Sequence, residues 1–257
     1  MIKKIIHNLP YIKTLRNNLI ERSERLKLLQ QNANKYYQYF QKHQSLEELD
    51  FSEKLQYFES KYGGYHTSIQ PTEVINTTGY ESPKLHTGGD RFNVFFHDYS
   101  EMYSKYLKDK STIKNILEIG ILRGVGLATW SELYPQATIY GLDWDLGNIK
   151  ENYDNLKKLG AFKEKDPILH QYNQLIDNKS WINKNFGDIK LDVVIDDALH
   201  KDEAIINSFS EFEPYLSDDF VYIIEDNKTA WKKLVRKYPN YLFDNCGELT
   251  VVTRNNK

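Results

Sequence analysis

From residue 113 onward, short apolar runs of β type alternate with helical patterns. The runs cover 116–119, 138–142, 191–195 and 220–224, and helical spacing of apolar residues occupies 124–134, 147–159 and 202–216. Strands separated by helices predict a doubly wound, Rossmann-like α/β sheet, mostly parallel, with helices on both faces. Two last runs, 241–243 and 249–253, flank a turn at Asn245, Cys246 and Gly247. They predict an antiparallel hairpin on the sheet edge, and so one reversed strand near the C-terminus.

Upstream the pattern differs. Residues 12–60 contain neither proline nor glycine, and Leu15, Leu19, Leu26 and Leu29 recur at spacings of three, four or seven. One or two amphipathic helices are expected there, packed on the main domain or on a second copy of the chain, which allows a homodimer. Residues 63–90 carry Pro71, Pro83 and several glycines, a long irregular stretch of the kind that forms lids and binding loops. A helical pattern then runs through 93–106. The expected division is a helical extension with a loop or lid segment over 1–90 and a main domain over 91–257.

Composition narrows the partners. The 257 residues are 40% hydrophobic and 27% charged, as in ordinary globular proteins, and the net charge of −2 offers no general attraction to nucleic acid or an anionic membrane. A single cysteine excludes a disulfide framework and a cysteine-rich zinc site, and fits a reducing, cytoplasmic setting. No run approaches the roughly 20 apolar residues that span a bilayer. His7, Asn8 and Pro10 interrupt the N-terminal apolar run, so it does not read as a signal peptide.

The segment from Asn115 to Gly126 places Gly120, Gly124 and Gly126 between a strand and a helix, where doubly wound folds bind ligands. This spacing is not the dinucleotide fingerprint GxGxxG. Glu118 precedes the turn, and Asp143 ends the next apolar run, where an acid can accept hydrogen bonds from both ribose hydroxyls of an adenosine group. Together Glu118, the glycine loop and Asp143 resemble the cofactor site of class I methyltransferases dependent on S-adenosylmethionine (SAM). The resemblance implies that Glu118 and Gly120 lie by the methionine part and that Asp143 holds the ribose. Asn173 and Gln174 follow a third strand tip and are placed, from position, facing the adenine.

Two further strands end in acids. The run 191–195 leads into Asp196, Asp197, Ala198, Leu199 and His200, and the run 220–224 leads into Glu225 and Asp226. If the strands are neighbours, four carboxylates and a histidine share one rim, and their repulsion calls for a cation or raised pKa values. Oxygen-rich sites suit hard divalent cations. One of these acids is expected to serve only as a helix N-cap.

The D-D-x-x-H and E-D motifs, with an upstream H-x-Y-x-x-x-Y at His97, Tyr99 and Tyr103, resemble metal-dependent sugar O-methyltransferases of the macrolide and tetracenomycin rhamnose tailoring type. The resemblance implies that Asp197, Glu225 and Asp226 bind Mg²⁺ or Mn²⁺ and that His200 is the general base. It also implies that Tyr99 or Tyr103 contacts the amino-acid end of SAM. Asp196 is grouped with the cofactor-side residues in a supporting or capping role. The sequence departs from the family at Asp218-Asp219, where a glycine pair is usual, and at Ala198-Leu199. The activity so implied is methylation of a sugar hydroxyl.

A nucleotide-activated hexose or heptose destined for surface polysaccharide is the expected acceptor. A natural-product glycoside, another small diol and a phosphorylated metabolite are the alternatives, and a non-catalytic binding protein of the same fold is the alternative outside enzymes. A hydroxylase lacks its two-histidine, one-carboxylate triad here, and the glycine spacing disfavours a dinucleotide oxidoreductase.

Overall fold

In the computed structural model seven strands form one sheet in the order β3-β2-β1-β4-β5-β7-β6. The described residues are 46–63, 90–92, 97–109 and 112–255. The strands are β1 (Asn115–Ile119), β2 (Thr138–Asp143), β3 (Ile168–Gln171), β4 (Leu191–Asp196), β5 (Leu216–Ile224), β6 (Tyr241–Cys246) and β7 (Leu249–Arg254). Strands β1 to β5 are parallel, and β7 runs antiparallel to both β5 and β6. The expected mostly parallel sheet with one reversed strand is therefore present.

The order reverses between β1 and β4. From β1 the chain moves outward through β2 and β3, then returns to the other side for β4 and β5, opening a crevice at the carboxyl ends of β1 and β4. Alternation along the strands loads both faces of the sheet. Ile116, Val193, Ile195, Val221 and Ile223 join one buried cluster, and Leu117, Ile119, Val194, Tyr222 and Ile224 join the other.

Seven helices are described: α1 (Phe51–Tyr62), α2 (Ser100–Leu107), α3 (Val125–Leu133), α4 (Gly147–Lys158), α5 (Lys179–Phe186), α6 (Asp202–Phe212) and α7 (Ala230–Lys237). Asp50 caps α1 reciprocally with Glu53, and Leu55, Phe58 and Tyr62 join the same core as Ile116 and Trp130. This helix belongs to the compact unit formed by residues 49–64 and 88–257. The expected helices over 12–45 and nearly all of the irregular segment 63–90 lie outside the described residues.

Three differences from expectation have local causes. The helix predicted over 202–216 stops at Phe212, because Pro214 sits in a 3₁₀ turn, Glu213–Tyr215, and β5 already begins at Leu216. The helices α5 and α7 were not predicted. Each spans eight residues and buries only two side chains one turn apart (Ile182 and Phe186; Ala230 and Leu234), too little for a visible period. Finally, α2 begins only at Ser100, because Asp98 adopts a left-handed φ of 53° that a continuous helix cannot contain.

Candidate functional site

Register brings the predicted residues to one rim. Ile119 of β1 pairs with Asp196 of β4, which pairs with Ile224 of β5, so Gly120, Asp197 and Glu225 emerge side by side. Backbone bonds continue past the strands: Gly120 N–H donates to Leu142 O, Asp197 N–H to Ile119 O and Glu225 N–H to Asp196 O, at 2.7, 2.8 and 3.0 Å. Gly120 has φ of 87°, and a Cβ there would lie 2.2 Å from the Asp197 carbonyl oxygen. Its missing side chain is what lets the glycine loop abut the D-D tip.

Asp143 anchors that loop. Its Oδ2 accepts from the amides of Ile121 and Leu122 at 2.9 and 3.0 Å, and its half-buried carboxylate lies at the tip of β2. Next to it Trp144 is 75% exposed, and Leu122, Leu175 and Ile176 are also exposed on loops at strand ends. An apolar rim therefore borders the loop. Sequence reasoning overlooked Trp144, whose only signal was its place directly after the strand-tip acid.

Two of the residues expected on the cofactor side, Gln174 and Asp196, are turned inward. Gln174 is buried: its Nε2 donates to Asp196 (2.8 Å) and Ser208 (3.0 Å), and its Oε1 accepts from Leu199 N–H (2.8 Å). Asp196 does not cap α6, where Lys201 is the N-cap residue and supplies no side-chain bond. It is fully buried instead, accepting from Gln174, from Ser208 Oγ at 2.6 Å and from Tyr222 at 3.4 Å. Burial pushes its pKa up to about 6, against the pull of those hydrogen bonds. Its role is to fasten β4 to α6, which keeps the supporting part of the expectation. Asn173 is exposed on the rim and accepts from Leu175 N–H at 2.9 Å.

Glu118 is also buried. One oxygen accepts from Trp130 Nε1 and the other from Arg91, each at 2.8 Å, and Gly126 passes so close that a Cβ would lie 2.2 Å from Oε1. Both oxygens are thus committed inside the protein, on the sheet face that carries Ile116.

Arg91 is the residue the sequence did not reveal. Buried itself, it donates from Nη2 to Glu118 and Asp197 at 2.8 Å and from Nε to Glu225 at 2.9 Å. Burial opposes its charge, but the surrounding carboxylates outweigh that and hold its pKa well above the usual value. Lying in no motif, it had one signal: four converging acids need a cation from somewhere.

The upstream motif serves the E-D pair. Tyr99 OH donates to Asp226 Oδ1 at 2.7 Å, and Tyr103 OH donates to Glu225. His97 Nδ1 lies 3.2 Å from Asp226 Oδ1. Tyr103 has no exposed surface, and both hydroxyls are directed at carboxylates of the E-D pair.

Asp197, His200 and Asp226 present ligand atoms that all lie within 4.8 Å of one another, a hard N/O set suited to a divalent cation. The structure places His200 in this group where Glu225 was expected. Glu225 is buried behind it, held by Arg91 and Tyr103, with its pKa driven well up by burial and by Asp197. Burial also lifts Asp197 to about 6, opposed by Arg91. Beside the group a cleft of about 560 Å³ is lined by His200, Lys201, Asp226, Lys228, Lys233 and Glu248, among others.

No family model matches the sequence. Over 175 residues the chain is 27% identical to mycinamicin VI 2''-O-methyltransferase of Micromonospora griseorubida, a match covering 63% of this chain and 41% of that protein. Over 174 residues it is 24% identical to L-olivosyl-oleandolide 3-O-methyltransferase of Streptomyces antibioticus, covering 62% and 41%. The match thus spans about two-fifths of the length of these curated relatives. Among solved structures, the MycE methyltransferase from the mycinamycin biosynthetic pathway, in complex with Mg, SAH and mycinamycin VI, superposes with a TM-score of 0.52. That alignment is 18% identical and covers 64% of this chain and 51% of the other. Its complex with Mg and SAH gives 0.51 at 19% identity. The fold is a Rossmann-like methyltransferase fold, and the sequence resembles SAM-dependent O-methyltransferases. Among the described residues no helix is long and apolar enough to cross a membrane.

Proposed function

We propose that this protein is a metal-dependent O-methyltransferase that carries a methyl group from SAM to a sugar hydroxyl. The observation that carries this reading is the convergence of the Asp197 and Asp226 carboxylates, with the His200 imidazole beside them, on the rim shared with Gly120 and Asp143. When bound, SAM supplies an electrophilic methyl group and the divalent ion makes a hydroxyl more acidic.

The remaining work falls to the chain. Asp143 holds the adenosine ribose while its second oxygen face keeps the glycine loop in place. Trp144 offers a flat apolar face to the adenine, beside Asn173 on the same rim. Asp197 and Asp226 hold the cation, and Arg91, Tyr99 and Tyr103 fix the carboxylates around it. His200, partly exposed in the cleft, takes the proton of the acceptor hydroxyl.

The names of the two relatives make a natural-product glycoside the favoured acceptor. Neither supports the nucleotide-activated sugar, a polysaccharide role or manganese as the ion. Calorimetry with SAM and with NAD⁺, each with and without Mg²⁺, tests the cofactor. Binding of SAM alone supports the reading, and binding of NAD⁺ in its place overturns it.

A further inference from the structure

Asp226 serves two ligand groups at once. Its Oδ2 faces His200 Nε2 at 4.0 Å, within the group completed by Asp197. Its Oδ1 faces His97 Nδ1 at 3.2 Å, and His97, Asp226 and Glu248 also present ligand atoms within 4.8 Å of one another. We propose that His97, Asp226 and Glu248 form a second divalent-cation site, joined to the first through the Asp226 carboxylate.

Three observations support it. The donors come from three separate segments: the stretch before α2, the tip of β5 and the β6–β7 turn. The backbone joins two of them, since Asn227 N–H donates to Glu248 O at 2.9 Å, and His97 meets the third at Asp226. Tyr99 then orients the shared carboxylate through its 2.7 Å bond to Oδ1.

One imidazole and two carboxylates suit Mn²⁺, Zn²⁺ or a related transition ion. Lys228 pairs with Glu248 at 2.8 Å, but it is 70% exposed, and an exposed pair of that kind yields readily to a bound ion. Bridged pairs of ions lie roughly 3.5–4 Å apart, a separation one carboxylate spans with an oxygen on each.

The test uses the full chain stripped with EDTA and titrated with Mn²⁺, following free ion by electron paramagnetic resonance. Two ions per chain with a spin-coupled spectrum are expected, falling to one in Glu248→Gln and in His97→Gln. One ion in the unmodified protein that persists in both variants, or two ions in the variant carrying both substitutions, overturns the site. Anomalous scattering from Mn²⁺-loaded crystals serves if a variant fails to fold: an ion between His97 and Glu248 supports the site, and its absence there refutes it. None of these readouts uses methyl transfer, so this proposal and the proposed activity can fail separately.

Discussion

Arg91 and Glu225 lie 134 positions apart in sequence and form a buried ion pair at 2.9 Å. The same guanidinium bonds Glu118 beneath the glycine loop and Asp197 at the tip of β4, so one side chain ties the cofactor side of the crevice to the acid cluster. Removing one partner of a buried ionic network leaves uncompensated charge. Arg91→Met is therefore expected to destabilise the fold by about 3–5 kcal/mol in chemical denaturation at pH 7. Adding Glu225→Gln should restore part of the loss, and a double variant no more stable than the single one would contradict the pairing.

Gly120→Ala should damage the site through backbone geometry. The new Cβ meets the Asp197 carbonyl oxygen at 2.2 Å, at a φ of 87° that side chains resist. A stability loss of about 2 kcal/mol or more is expected, together with weaker SAM binding. Normal stability and SAM affinity would show that the two loops separate without cost.

His200→Ala separates base from ligand. As the base, its loss should lower turnover by about 10²–10⁴-fold while leaving SAM and Mg²⁺ affinities unchanged. A matching fall in Mg²⁺ affinity would make His200 a ligand instead, the role its placement beside Asp197 and Asp226 also permits.

Tyr99→Phe removes the hydroxyl that orients Asp226 and leaves the ring in place. Groups that orient ligand carboxylates commonly matter by about 10–100-fold in metal affinity, and a loss in that range is expected by Mg²⁺ titration. An unchanged affinity would assign the contact to folding alone.

A pH dependence follows from Glu59 on α1. Burial, reinforced by Asp90, raises its pKa to about 8 although Phe92 N–H donates to it at 2.8 Å. Between pH 4.5 and about 8 the folded chain keeps a proton that the unfolded chain has released, so this group makes stability fall as pH rises through that window. Glu59→Gln keeps an acceptor for Phe92 without the charge. It should flatten that slope and be the more stable form above pH 8, by at least about 1 kcal/mol. An identical pH profile for the two proteins would contradict the assignment.

The central sheet was legible because β1, β2, β4 and β5 carry near-continuous apolar runs and acids follow directly at their ends. Asp143, Asp197, Glu225 and Asp226 could be placed on one rim for that reason alone. Direction of side chains could not be read in the same way. Glu225 and Asp226 are adjacent, yet one is buried against Arg91 and the other faces the cleft, because Asp226 adopts φ of 53° and turns the chain. The H-x-Y-x-x-x-Y motif was found without its partners, since nothing in its spacing shows that His97 and Tyr99 meet Asp226 across 127 or more positions. The inward turn of Gln174 to Asp196 and Ser208 was not legible either, because a residue after a strand tip can turn to either side.

The most direct measurement is transfer of labelled methyl from SAM to a panel of glycosides and nucleotide-sugars, run with Mg²⁺ and with EDTA, with the new methyl located by NMR. A methyl on a sugar oxygen, formed with Mg²⁺ and lost with EDTA, is expected. Transfer undiminished by EDTA, or a methyl carried on nitrogen or carbon, would contradict it.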